Sequence, residues 1–182
     1  MVSGSGSDDH LRRRSTRLPG YDYSRHGAYF ATVCTRRRVP LFGDVVDGEM
    51  RLNGWGRVVE EEWLRSAEIR REIVLDAYVI MPNHMHAIIF IVSDDPGRGD
   101  RPVAPTTSNQ RPKGPLPKSL SSLMAGFKSA VTKRINTLRG TPGTPVWQRN
   151  YYEHIIRNER ELARIRRCML DNPARPGGRP PM

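Results

Sequence analysis

In the stretch PNHMHAIIF, Pro82 to Phe90, two of the chain's five histidines, His84 and His86, stand one residue apart, and an apolar run follows at once. Residues i and i+2 of a strand point to one face, so the two imidazoles lie side by side while Met85 turns away. Two neutral imidazoles at that spacing can share one divalent cation when a third ligand arrives from elsewhere in the fold. They also suit two ordinary hydrogen-bonded histidines at a strand start, and spacing alone leaves both readings open.

The remaining residues with chemical potential are scattered. Cys34 and Cys168 are the two cysteines, far apart and in no metal-ligand spacing, so they read as reduced thiols rather than a disulfide framework. Arg36, Arg37 and Arg38 end a strand, Lys128 and Lys133 sit on a helical pattern, and Arg149 and Arg157 flank a late strand. Together these are candidates for gripping phosphates, while each alone reads as a solvated surface charge. With Trp147, Tyr151 and Tyr152 they form the mixture of charge and aromatic planes that suits single-stranded or hairpin DNA. Tyr151 and Tyr152 are adjacent on a strand and so face opposite ways, one toward the core and one as a stacking platform. His154 reads as structural.

The elements that must position these residues follow from periodicity. GAYFATVCT, Gly27 to Thr35, is a strand by its β-branched and aromatic content, and Trp55, Val59 and Trp63 recur at helical spacing through GWGRVVEEEWLRSA. LDAYVIM and HMHAIIFIV, Leu75 to Met81 and His84 to Val92, form a hairpin turning at Pro82 and Asn83. Leu120, Leu123, Met124, Phe127, Val131, Ile135 and Leu138 mark the clearest helix. YYEHIIR, Tyr151 to Arg157, is a short last strand, and Asn158 with Glu161 forms a capping box for a helix that Pro173 stops. The string β-α-β-β-α-β plus one helix predicts an α+β, ferredoxin-like split βαβ fold, a four-stranded antiparallel sheet with helices packed on one face and a C-terminal helix added.

Length and charge set the frame. The 182 residues favour one domain, residues 20–173, with a basic disordered tail over 1–19, a Pro-rich flexible insertion over 93–117 and a second tail over 174–182. Net charge is +11, and only four of the 30 basic residues are lysine, Lys113, Lys118, Lys128 and Lys133. Such a surface attracts polyanions, although arginine, proline and glycine at this density also follow from a GC-rich genome. Nothing resembles a signal peptide or a membrane span, so a cytoplasmic protein is expected.

The words MPNHMHAII, SLSSLMAGFKSAVTKRIN and VWQRNYYEHIIRNEREL, in this order and preceded by GYDYSRHGAYFATVCTRRR, resemble the REP-associated tyrosine transposases. These belong to the HUH class of single-strand DNA transposases and nickases, named for histidine-hydrophobe-histidine. The resemblance spans most of Tyr21 to Pro173. It implies a ferredoxin-like nuclease domain in which His84 and His86 hold Mg²⁺ or Mn²⁺, with single-stranded or hairpin DNA as partner and a monomer or homodimer as the working unit. In the family a tyrosine on the last helix attacks the scissile phosphate, leaving a 5′-phosphotyrosine and a free 3′-OH. That tyrosine lies in a word of the form Tyr-Ile-x-x-Asn-Pro.

The matching word here is CMLDNP, with Cys168 in the tyrosine's place and Asn172 retained as the implied third metal ligand. Cys168 can be a thiolate nucleophile, a side chain too short to reach the phosphate, or a small, partly buried helix residue doing no chemistry, and it reads as the last of these. Tyr151 or Tyr152 could stand in as nucleophile. The implied function is DNA transposition with strand cleavage and joining, its catalytic step impaired at Cys168. The alternatives are a domesticated DNA-hairpin-binding regulator without catalysis, and a metal-dependent hydrolase using His84, His86 and Asn172 with an activated water and Asp171 as the nearest base.

Overall fold

The computed structural model describes residues 25–92 and 115–172. The expected tails over 1–19 and 174–182, the start of order near Tyr21, the Pro173 stop and most of the 93–117 insertion lie outside the described residues. Six strands and three helices are described, in the order β1 (Gly27–Cys34), β2 (Gly43–Val46), β3 (Glu49–Leu52), α1 (Gly54–Ile69), β4 (Ile73–Met81), β5 (His84–Ile91), α2 (Leu120–Arg139), β6 (Tyr152–Ile156) and α3 (Glu159–Leu170). The main sheet runs β4-β5-β1-β6, with every neighbouring pair antiparallel. That order is the ferredoxin-like arrangement the periodicity predicts.

Alternation along the strands gives the sheet two dry faces. Tyr29, Ala31 and Val33 of β1 and Met85, Ala87 and Ile89 of β5 meet Val59 and Trp63 of α1 and Leu123, Phe127 and Val131 of α2 in the larger core. Phe30 and Ile88 turn the other way and meet Leu162, Ile165 and Met169 of α3. The C-terminal helix therefore covers the face opposite α1 and α2. A strand buried on both sides needs continuous apolar residues, which explains the unbroken AIIFI of β5.

Each helix is started by a side chain that takes up orphan amides. The Asn53 carbonyl accepts from the amides of Trp55 and Gly56, and Ser119 with Ser122 makes a reciprocal capping box. Asn158 accepts from the Glu161 amide as expected, but the Glu161 carboxylate reaches past the cap to the Arg157 amide and to His154 Nε2, 2.9 and 2.7 Å away. His154 thus anchors the start of α3, the structural role expected of it.

Sequence reading missed the β2–β3 hairpin, a separate two-stranded sheet. Its turn is Asp47-Gly48, both at positive φ (54° and 80°), the backbone a tight two-residue hairpin demands. Asp-Gly between VV and EMRL was the signal.

Candidate functional site

The basic run after β1 folds as a single 3₁₀ turn, Arg36–Arg38, with Arg37 and Arg38 at φ of 57° and 56°. Two consecutive non-glycine residues in the left-handed region cost on the order of 1 kcal/mol each, so the surroundings must enforce them. Thr35 Oγ1 donates to the Val39 carbonyl at 2.7 Å, and the amides of Leu41 and Phe42 donate to the Pro82 carbonyl. The Asn83 amide nitrogen donates to the Arg38 carbonyl at 3.2 Å. The turn of the β4–β5 hairpin and the arginine turn are thereby tied together at one end of the sheet.

The histidine pair opens β5 at that end, on the α3 face. The registers set Val79, His86, Thr32 and Tyr152 in one row across the four strands, and Met81, His84 and Cys34 in the next. The two imidazole rings sit 4.7 Å apart, nearly edge to face, and His86 stacks on Phe30 at 5.3 Å. The expectation that both rings share a face holds.

Hydrogen bonds fix which ring nitrogens are available. His84 Nδ1 lies 2.7 Å from Asn83 Oδ1, and because the Asn83 nitrogen is committed to the Arg38 carbonyl, that oxygen accepts and Nδ1 carries the proton. The lone pair of neutral His84 is then on Nε2, which is buried and has no hydrogen-bond partner among the described residues. His86 Nδ1 meets Thr32 Oγ1 at 2.7 Å. Burial holds His84 well below the ordinary imidazole range, at about 4, with the nearby Arg38 charge adding to it; burial and then His84 hold His86 at about 3. Both rings are neutral at physiological pH, the state in which imidazole binds metals.

Asn172 follows α3 and continues its buried stripe, Leu162, Ile165, Met169 and Asn172, the face turned to the sheet side that carries the histidines. It is 8% exposed, and its Nδ2 is buried without a partner among the described residues. A half-turn of the amide exchanges nitrogen for oxygen, so the same space accepts a carbonyl oxygen that can ligate a cation. No three His, Cys, Asp or Glu side chains gather as a metal cluster among the described residues. His84 Nε2 and the Asn172 side-chain amide are each buried with no hydrogen-bond partner among the described residues, and an imidazole nitrogen and an amide oxygen are both donors that suit a divalent cation.

Other expectations need correction. Cys168 is exposed, not partly buried, because the buried stripe of α3 passes through its neighbour Met169. Trp147 is only 6% exposed and packs its ring against Phe42 and Phe127, 5.1 and 5.8 Å away, so it is core and no platform for a base. Lys128 donates to the carbonyls of Gln148 and Arg149 at 2.6 and 3.1 Å and so holds the loop before β6. Lys133 is exposed on α2, across the sheet from the histidines. Arg36, Arg37, Arg38, Arg149 and Arg157 are exposed, and of the arginine run it is Arg38 whose charge His84 feels. Tyr151 packs toward the larger core and Tyr152 toward the α3 side, as adjacent residues should.

Thr32 and Asn83, which brace the two rings, were not singled out from sequence. Thr32 could be found only through the β1–β5 register, and Asn83 read simply as a turn residue. Cys34 is the cross-strand partner of His84, and burial pushes its thiol up despite Arg38 and Lys128, which keeps it protonated.

No family model matches the chain. A Haemophilus influenzae (strain KW20 Rd) protein described only as uncharacterized is 35% identical over 161 residues, 88% of each chain. The chain belongs to the same family as that protein. Among solved structures, it is similar to a REP-associated tyrosine transposase bound to a REP hairpin, with a TM-score of 0.60, 20% identity, and coverage of 90% of this chain and 75% of the other. That likeness shows a shared fold. A putative transposase from Deinococcus radiodurans R1 matches at a TM-score of 0.41 and 16% identity, over 87% of this chain and 98% of the other.

Proposed function

We infer that the protein is a DNA-binding member of the HUH transposase class that recognises single-stranded or hairpin DNA and holds one divalent cation, Mg²⁺ or Mn²⁺, at His84, His86 and Asn172. The covalent tyrosine step of that class is lost at Cys168. The observation that carries the reading is the bare, buried Nε2 of His84 beside a second neutral imidazole, each ring braced on its other nitrogen, by Asn83 and by Thr32. Supporting it are the word-by-word resemblance to the REP-associated tyrosine transposases, the shared fold, and the hairpin bound by the solved transposase.

A cation bound there supplies Lewis-acid polarisation of a scissile phosphate. The chain's own contribution is geometric: Asn83 and Thr32 fix the ring orientations, and the exposed arginines, Arg38 nearest, take up backbone phosphates. The exposed thiol of Cys168 is shorter than a tyrosine by most of a ring and stays short of a phosphate placed for a phenol.

Isothermal titration with Mn²⁺ tests the site. The intact chain is expected to bind one Mn²⁺, and His84→Ala to lose most of that binding. Equal affinity in the two proteins overturns the assignment.

A further inference from the structure

Asn172 continues the α3 stripe that faces the histidine side of the sheet, so where its amide stands along that side depends on how α3 lies. Leu162, Ile165 and Met169 pack against Phe30 and Ile88 through contacts that are not directional, and at its start α3 is held by Glu161 to His154 and the Arg157 amide. One directional contact crosses between α3 and the edge strand β4. Arg166 Nε and Nη2 donate to Asp76 Oδ2 and Oδ1 at 2.7 and 2.8 Å, a bidentate fork.

The sequence goes out of its way to present Asp76. Leu75 pairs with Ile89 and Tyr78 with Ala87, so Asp76 and Ala77 together oppose Ile88 alone. This is a β-bulge, and it turns two consecutive side chains toward α3: Ala77 joins the small core there, and Asp76 meets Arg166. From Arg166 to Asn172 the chain advances about 9 Å at helical rise. A slip of one residue at the fork would displace the Asn172 amide by more than a metal–ligand bond tolerates.

We propose that Arg166 and Asp76 are positioning residues: the bulge-borne fork locks the register of α3 on the sheet and thereby holds the Asn172 amide to the His84–His86 pair. This rests on the metal reading above. The side chains are partly open to solvent, 41% for Arg166 and 23% for Asp76, so the pair adds little to global stability, and its effect is on geometry.

Mn²⁺ affinity and thermal midpoint, measured together on the full chain, separate these roles. Asp76→Asn keeps the shape of the side chain and removes its charge. Both it and Arg166→Gln should weaken Mn²⁺ binding by about tenfold or more, the loss typical when a group that orients a ligand is removed. Their thermal midpoints should stay near the parent's, and the reversed pair, Asp76→Arg with Arg166→Asp, should recover most of the affinity. A parent that binds Mn²⁺, loses it in His84→Ala and keeps it in Asp76→Asn and Arg166→Gln overturns this proposal while leaving the metal reading standing. A parent that binds no Mn²⁺ overturns both.

Discussion

His84 and His86 differ from surface histidines in staying neutral until well below the ordinary imidazole range. In the unfolded chain both titrate near the ordinary imidazole value of about 6.5. In the fold, burial and positive neighbours lower them to about 4 and about 3. Above pH 6.5 the two states hold the same protons, and the pair costs nothing. Below it the unfolded chain takes up protons that the folded chain refuses, so stability is present above that value and is lost as pH falls. The metal-free protein should show a falling thermal midpoint between pH 6.5 and 5, a window in which carboxylates contribute little. His84→Gln with His86→Gln should flatten that slope, and an equally steep decline in the double variant would mean that other groups carry it. Histidine type and spacing made this pair legible in the sequence. Their braces were not, since Thr32 comes to His86 across 54 positions of sequence through strand register.

At the level of elements, the β2–β3 hairpin does more than fill a connection. It seats the start of α1, where Gly56 packs so close that a Cβ would lie 2.2 Å from the Phe42 carbonyl oxygen and 2.9 Å from a Leu52 methyl. Asn53 caps the same turn and reaches back, its side-chain nitrogen donating to the Leu41 carbonyl at 2.9 Å. Gly56→Ala should therefore destabilise the fold by about 1–3 kcal/mol, the usual cost of overpacking, although alanine is the better helix former. Urea unfolding measures it, and an unchanged or raised midpoint would show that the junction is looser than drawn. The longer main strands, α1 and α2 were readable because their apolar runs and periods are long, whereas β6 spoke through its aromatic and β-branched content and α3 through its Asn158 cap. The hairpin was not, because four-residue strands give too few repeats to show a period and only the Asp-Gly turn spoke for them. The β4 bulge is invisible in sequence for a related reason: LDAY alternates plausibly with or without it.

For the whole molecule, the charge of +11 is carried mostly by arginines, and the exposed ones near the histidine end of the sheet include Arg36, Arg37 and Arg38. Fluorescence anisotropy should show tighter binding to a DNA hairpin with single-stranded flanks than to plain duplex, with affinity falling steeply as salt rises. Equal affinity for plain duplex would remove the hairpin from the account. Among the described residues no helix is long and apolar enough to cross a membrane.

The proposed metal centre beside an absent nucleophile is tested most directly by a denaturing gel of labelled hairpin DNA incubated with the protein and Mn²⁺. The unmodified chain should give no slowed covalent band. Cys168→Tyr should give one, since a phenol at that position extends from the end of α3 by about a ring's length beyond the thiol. A band from the unmodified chain that survives Cys168→Ala and disappears with Tyr152→Phe or Tyr151→Phe would contradict the claim.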